Sequence, residues 1–168
     1  MDLFLLRHGI AVDRGTPGYE DDSQRPLTPK GAARIHRIAQ AAKQLRLKFD
    51  LILSSPYVRA EQTARLIAKH YKMEDRLRLI ENLTPTLSGA ALVGEIHEKY
   101  AEALSILLVG HEPGLSMLAS TLLTGDENML MLTFKKGGLC KLSVDELSHS
   151  RCATLEWLST PKQMLNLD

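Results

Sequence analysis

Three short segments of the chain combine residue types suited to holding and transferring a phosphoryl group. Arg7-His8-Gly9 follows one apolar run. Ser54-Ser55-Pro56 leads through Tyr57-Val58 to Arg59-Ala60-Glu61-Gln62-Thr63. Gly110-His111-Glu112-Pro113-Gly114 follows another apolar run. A phosphoryl group carries about two negative charges, and guanidinium forks match its oxygens bidentately. Arg7 and Arg59 are therefore expected to hold it and to stabilise charge on its equatorial oxygens during transfer. A histidine that attacks phosphorus must be neutral, and adjacent guanidinium charges keep it so by lowering its pKa. The other histidine is expected to donate a hydrogen bond to a phosphoryl oxygen. Gly9 would let the backbone approach the ligand. Attack would leave a phosphohistidine on the protein, which water then hydrolyses.

For these segments to meet, they must leave the same edge of one sheet. Leu3-Phe4-Leu5-Leu6 is a continuous apolar run that suits a strand buried on both faces. Phe49 to Leu53, Leu77 to Ile80 and Ile106 to Val109 read as further strands. Thr28-Pro29 supplies an N-cap followed by proline at the first helical position, and Ile35, Ile38, Ala42 and Leu45 then recur at helical spacing. Ser55-Pro56 is expected to open a second helix in the same manner, placing Arg59 in its first turn, where free backbone N–H groups favour anions. Helices are also expected from about Ser88 to Tyr100 and from Pro113-Gly114 to about Leu123. Met131 to Phe134, Leu139 to Val144 and Ala153 to Leu158 read as late, antiparallel strands. The alternation predicts an α/β fold: a three-layer α/β/α sandwich with a mostly parallel sheet and antiparallel edge strands, as a single domain over residues 1–168. Such sheets bind ligands at the carboxyl ends of their strands. The polar stretch from Asp13 to Pro29 reads as a long surface loop, and loops of that length are often functional.

Composition narrows the choice further. Net charge is +1, from 21 basic and 20 acidic residues, so no overall field draws nucleic acid or an acidic membrane surface. Neither nucleic acid nor a membrane is therefore an expected partner. The early apolar run is far shorter than the ~20 residues of a membrane span, which makes a cytoplasmic protein the expectation. Cys140 and Cys152 form no metal spacing and are expected to be free, buried thiols. No HxH or HExxH pattern occurs, so neither a catalytic metal nor another cofactor is expected. His36, His70, His97 and His149 are expected at the surface.

At these residues the sequence resembles the histidine phosphatase superfamily, with its phosphoglycerate mutase-like fold. Leu5-Leu6-Arg7-His8-Gly9 is similar to its signature. Ser54-Ser55-Pro56 through Arg59-Ala60-Glu61-Gln62-Thr63-Ala64 is similar to its second block, and Gly110-His111-Glu112 to its third. The resemblance extends to the compact SixA-type phosphohistidine phosphatases in Arg25-Pro26-Leu27-Thr28, followed by Gly31, and in Glu81-Asn82-Leu83-Thr84-Pro85. It implies His8 as the phosphorylated nucleophile, with Arg7, Arg59 and His111 completing the phosphate pocket. It also implies a glutamate as general acid, for which Glu81 is the candidate. Arg25 either lines the pocket from the long loop or pairs with Asp21 or Asp22. Glu61 and Gln62 are expected to brace neighbouring elements.

Larger members of that family roof the site with insertions between the third strand and the last block, whereas here 29 residues separate Glu81 from His111. An unroofed pocket would admit a phosphorylated side chain of another protein. The expected partner is thus a phosphohistidine-bearing phosphotransfer domain or phosphotransferase-system protein, and the pocket is expected to bind phosphate or analogous anions. Two other functions remain open. One is hydrolysis of a small phosphate ester, which would require Glu81 to protonate the leaving oxygen. The other is phosphate or phosphoprotein binding without turnover.

Overall fold

A computed structural model describes residues 1–86 and 88–166, so Leu87, Leu167 and Asp168 of the expected domain span lie outside the described residues. Among the described residues six strands form one sheet: β1 (Asp2–Arg7), β2 (Leu51–Ser54), β3 (Leu77–Leu79), β4 (Ser105–Gly110), β5 (Leu139–Val144) and β6 (Ala153–Ser159). Their order is β3-β2-β4-β1-β5-β6. The first four run parallel, and β5 and β6 continue the sheet antiparallel. The described residues form five α-helices, α1 (Pro29–Gln44), α2 (Val58–Tyr71), α3 (Gly89–Tyr100), α4 (Gly114–Thr124) and the single turn α5 (Pro161–Met164). No helix among the described residues is long and apolar enough to cross a membrane.

The apolar runs are continuous because both faces of the sheet are covered. Leu3 and Leu5 of β1 point one way, with Ile106 and Leu108 of β4, into a core completed by Leu92 and Ile96 of α3 and Leu115 and Leu118 of α4. Phe4 and Leu6 point the other way, with Leu107 and Val109, against Ile35 and Ile38 of α1 and Ala64 and Ile67 of α2. The period-two alternation of strand side chains feeds both layers from the same residues.

The start of α1 follows the sequence closely. Thr28 caps it by accepting from the Gly31 N–H at 3.0 Å, and Pro29 occupies the first turn. Two features depart from expectation. Ser55 does not cap α2: the helix begins at Val58 after Tyr57, with no side-chain cap, because the Ser55 hydroxyl accepts from the Tyr57 N–H and meets His111 instead. Met131 to Phe134 form no strand. Met131 is 97% exposed, and the Phe134 backbone bonds to the Arg7 and Glu112 side chains rather than to a neighbouring strand.

The stretch from Asp13 to Pro29 carries more structure than a plain loop. An isolated antiparallel bridge between Ala11 and Leu27 closes its base. Val12 N–H donates to Pro26 O, and Thr28 N–H to Ile10 O, both at 2.9 Å. A 3-10 turn at Asp22–Gln24, capped by Asp21, sits near its far end.

Gly31 explains how α1 reaches this base so closely. A Cβ there would stand 2.0 Å from the Ile10 carbonyl oxygen, which already accepts from Thr28. Gly31→Ala should therefore destabilise the protein by about 3 kcal/mol in urea denaturation. Gly94→Ala, where a Cβ meets nothing within 4 Å in α3, should be neutral or stabilising by about 0.5–1 kcal/mol.

Candidate active site

The parallel pairing sets the three sequence segments side by side. Arg7 is in register with Gly110, and Ser54 with Val109. The ladder runs one residue beyond the strands: His8 N–H donates to Gly110 O at 3.1 Å, and Ser55 N–H to Val109 O at 3.0 Å. His8 and His111 consequently face each other, with ring centroids 5.0 Å apart. Thr63 fastens the first segment to α2, its hydroxyl donating to Arg59 O at 2.7 Å and accepting from Gly9 N–H at 3.0 Å.

Arg7, His8, Arg59 and His111 line one cavity of about 340 Å³, together with Arg25. Its lining carries five cationic side chains, with Arg14 and Lys136 completing the set, against the carboxylates of Asp13 and Glu112. That excess suits a phosphoryl dianion.

The histidines are chemically distinct. His8 Nδ1 lies 2.7 Å from the Gly9 carbonyl oxygen, which only accepts, so Nδ1 carries the proton and Nε2 the lone pair. Arg59 Nε donates to that Nε2 at 3.2 Å. Burial, followed by the charges of His111, Arg59 and Arg7, lowers the His8 pKa to about 2. Burial and the Arg59 charge lower that of His111 to about 3. His111 Nε2 is 2.9 Å from Ser55 Oγ, whereas His111 Nδ1 and Arg7 Nε have no partner among the described residues. Arg7 is held by its Nη1, which donates to Phe134 O at 2.7 Å.

Arg59 is 2% exposed and its fork is anchored by a residue the sequence offered only as a partner for Arg25. Asp22 accepts from Arg59 Nη2 at 2.9 Å through its carboxylate and from Nη1 at 2.6 Å through its backbone oxygen. The same carboxylate accepts from Arg25 at 2.8 Å and Arg14 at 2.9 Å. Burial pushes the Asp22 carboxyl up, but the Arg25 and Arg59 contacts outweigh it and hold the group down at about 2. The proximity of Asp22 to Arg25, three residues apart, was the available signal; the reach to Arg59 requires the folded loop.

Other residues fall in different places. Arg25 both lines the cavity and pairs with Asp22, and also donates to Val12 O. Glu81 lies exposed in a 3-10 turn at Glu81–Leu83 and does not line the cavity, whereas Pro85 of the same segment does. Glu112 lines it, accepting from Ser116 Oγ and Phe134 N–H. Gly9 is accounted for by packing, since a Cβ there would come 2.8 Å from Ile35 Cγ1 of α1. Gln62 accepts from Leu27 N–H at 2.7 Å and ties α2 to the loop base, while Glu61 pairs with Arg65 of its own helix. Cys140 is buried, which pushes its thiol up to about 12, and Cys152 is only half-buried. His36 and His70 bond to each other at 2.8 Å near the surface, and His97 bonds to Leu147 O.

Strand order, helix placement and the cluster at the strand ends together define a protein of the phosphoglycerate mutase-like fold. More narrowly, the chain belongs to the histidine phosphatase superfamily (branch 1), whose profile matches residues 3–103, and it is a phosphatase. It is 38% identical over 143 residues to an uncharacterised protein of Picosynechococcus sp., covering 84% of each chain. It is 27% identical over 166 residues to the phosphohistidine phosphatase SixA of Escherichia coli, covering 96% of this chain and 94% of that one. A structure of the protein histidine phosphatase SixA complexed with tungstate superposes with a TM-score of 0.81 at 26% identity, covering 96% of this chain and 98% of that one.

Two measurements probe the electrostatics. Both histidines have folded pKa values far below about 6.5, the value expected in the unfolded chain, so the unfolded state takes up protons first on acidification. Stability should be full above pH ~6.5 and fall below it, by up to about 1.4 kcal/mol per pH unit for each histidine. His8→Gln should show a shallower fall in urea midpoints between pH 7 and 5. Asp22→Ala, which strips partners from a buried guanidinium, should cost about 1–3 kcal/mol at pH 7. Because the Asp22 carboxyl is depressed, its contribution holds above pH ~4 and is lost as pH falls through about 2, so the gap between variant and wild type should close over that range.

Proposed function

We propose that this chain is a metal-independent phosphatase that removes the phosphoryl group from phosphohistidine on a protein, through a covalent intermediate on His8. The observation that carries the reading is the His8 tautomer. With its proton held on Nδ1 by Gly9 O, the ring presents the Nε2 lone pair within a cavity also lined by Arg7, Arg59 and His111. Guanidinium and imidazole groups supply here the positive charge needed around a transferring phosphoryl group. The Escherichia coli relative is a phosphohistidine phosphatase, and the SixA structure holds tungstate.

In the first step the His8 Nε2 lone pair forms a bond to phosphorus as the substrate P–N bond breaks. An imidazole that carries a proton on its other nitrogen departs neutral, so that step needs no carboxylic acid. Arg59 spends two of its five N–H groups on Asp22. Its Nε, which holds the His8 Nε2 lone pair before attack, is released as that lone pair bonds to phosphorus, so three are then left for phosphoryl oxygens. Arg7 offers Nε. If the Ser55 hydroxyl donates to His111 Nε2, the His111 proton sits on Nδ1, the nitrogen without a partner among the described residues, and can be donated to a phosphoryl oxygen. Water then attacks phosphorus, the bond to Nε2 breaks, and inorganic phosphate leaves with His8 again neutral. An ester substrate would release an alkoxide and require an acid, and Glu81, exposed outside the cavity, is poorly placed for that role.

The test is phosphate release from a phosphohistidine protein and from small phosphate esters, together with acid-labile label on the enzyme. Wild type should turn over the phosphoprotein and carry label on His8. His8→Ala should lose at least ~10³-fold in rate and carry none. Turnover of esters alone, or undiminished turnover by His8→Ala, would refute the proposal.

A further inference from the structure

Beside the candidate active site lies a second, larger concavity of about 880 Å³ between α1, α5 and the turn that precedes β5. Arg34 and Arg37 of α1, Lys135 and Lys136 of the turn, and Lys162 of α5 all line it. No carboxylate does so among the described residues, and none of the five cations has an ion-pair or hydrogen-bond partner among them. The floor is apolar, supplied by Ile10, Pro161 and Leu165. Two residues, Arg7 and Lys136, line this concavity and the active-site cavity alike, so the two adjoin.

Five cations without partners among the described residues repel one another, and they stand out in a chain whose overall net charge is only +1. A cluster of this kind, laid along an apolar floor and adjoining a phosphoryl site, is complementary to a polypeptide carrying carboxylates among apolar side chains. Among the described residues no aromatic side chain lines it, so it lacks the stacking platforms that hold single-stranded nucleic acid. A phosphoryl group on an imidazole needs only the smaller cavity. The larger one is where the chain around that residue would rest.

We infer that this groove docks an acidic segment flanking the phosphohistidine of the substrate protein, and that Arg34, Arg37 and Lys162 select such substrates by charge. The inference rests on the proposed protein substrate. Contacts of this sort act chiefly on encounter and binding, leaving the chemical step alone.

The experiment uses two synthetic phosphohistidine peptides, one flanked by glutamates and its counterpart with glutamines, with wild type and an Arg37→Glu/Lys162→Glu variant. Wild type should favour the glutamate peptide by about tenfold in kcat/KM, through KM, with the preference shrinking as salt rises. The variant should lose that preference while hydrolysing the glutamine peptide at the wild-type rate, which also reports that it is folded. Equal rates on both peptides by wild type, or an undiminished preference in the variant, would overturn the groove and leave the proposed activity standing. Fluorescence anisotropy with the unphosphorylated peptides reads the groove without turnover. Selective binding of the glutamate peptide by wild type with no hydrolysis of either phosphopeptide would uphold the groove and sink the activity. Equal binding of both unphosphorylated peptides would overturn the groove.

Discussion

A guanidinium at 2% exposure is costly unless it is paired and hydrogen-bonded, and Arg59 is the largest fully buried side chain among the described residues. Its surroundings read as a response to that cost. Asp22 meets two edges of the fork, His8 accepts from Nε, and Tyr57 lies beneath it with the ring centroid 5.0 Å from Cζ. Thr63, one turn along, closes the loop between the Arg59 carbonyl and Gly9. Positioning the cation and positioning the nucleophile are therefore one task, carried out by a single connected set of hydrogen bonds.

The sheet makes this set possible at modest cost. Parallel strands that end together deliver Arg7, Ser54 and Gly110 to one edge without any long-range loop having to find its place. Because the strands beneath are apolar on both faces, the edge residues stand on a low-dielectric base. That base, together with neighbouring cations, keeps both imidazoles neutral at physiological pH. The same burial that destabilises the fold in acid is what preserves a lone pair for attack.

Much of this was legible in the sequence, for identifiable reasons. The apolar runs of β1 and β4 and the Thr28-Pro29 cap are local signals, and each is found where the sequence put it. The pairing of Arg7, His8, Arg59 and His111 followed from strand ends in a parallel sheet. What was not legible depends on partners that local pattern cannot see. Ser55 looked like a second Thr28, yet its hydroxyl is claimed by Tyr57 and His111. Met131 to Phe134 looked like a strand by composition, but the Phe134 backbone is bonded to side chains of the site. Glu81 sits where a strand ends, and only the 3-10 turn that follows shows its side chain directed to solvent while Pro85 reaches the cavity.

The bridge between Ala11 and Leu27 separates the long segment into a zipped stem and an outer bow. Since the stem fixes both ends, lengthening the bow adds little entropy, each doubling costing only about 0.6 kcal/mol. The turn bearing Asp22 and Arg25 binds the bow to the interior, and Arg14 pairs with the same Asp22. Residues 15–20, beyond the cavity-lining Asp13 and Arg14, are thus a stretch where descendants of this fold can exchange, extend or trim chain freely, acquiring a new canopy over the phosphoryl group while the machinery beneath keeps its alignment.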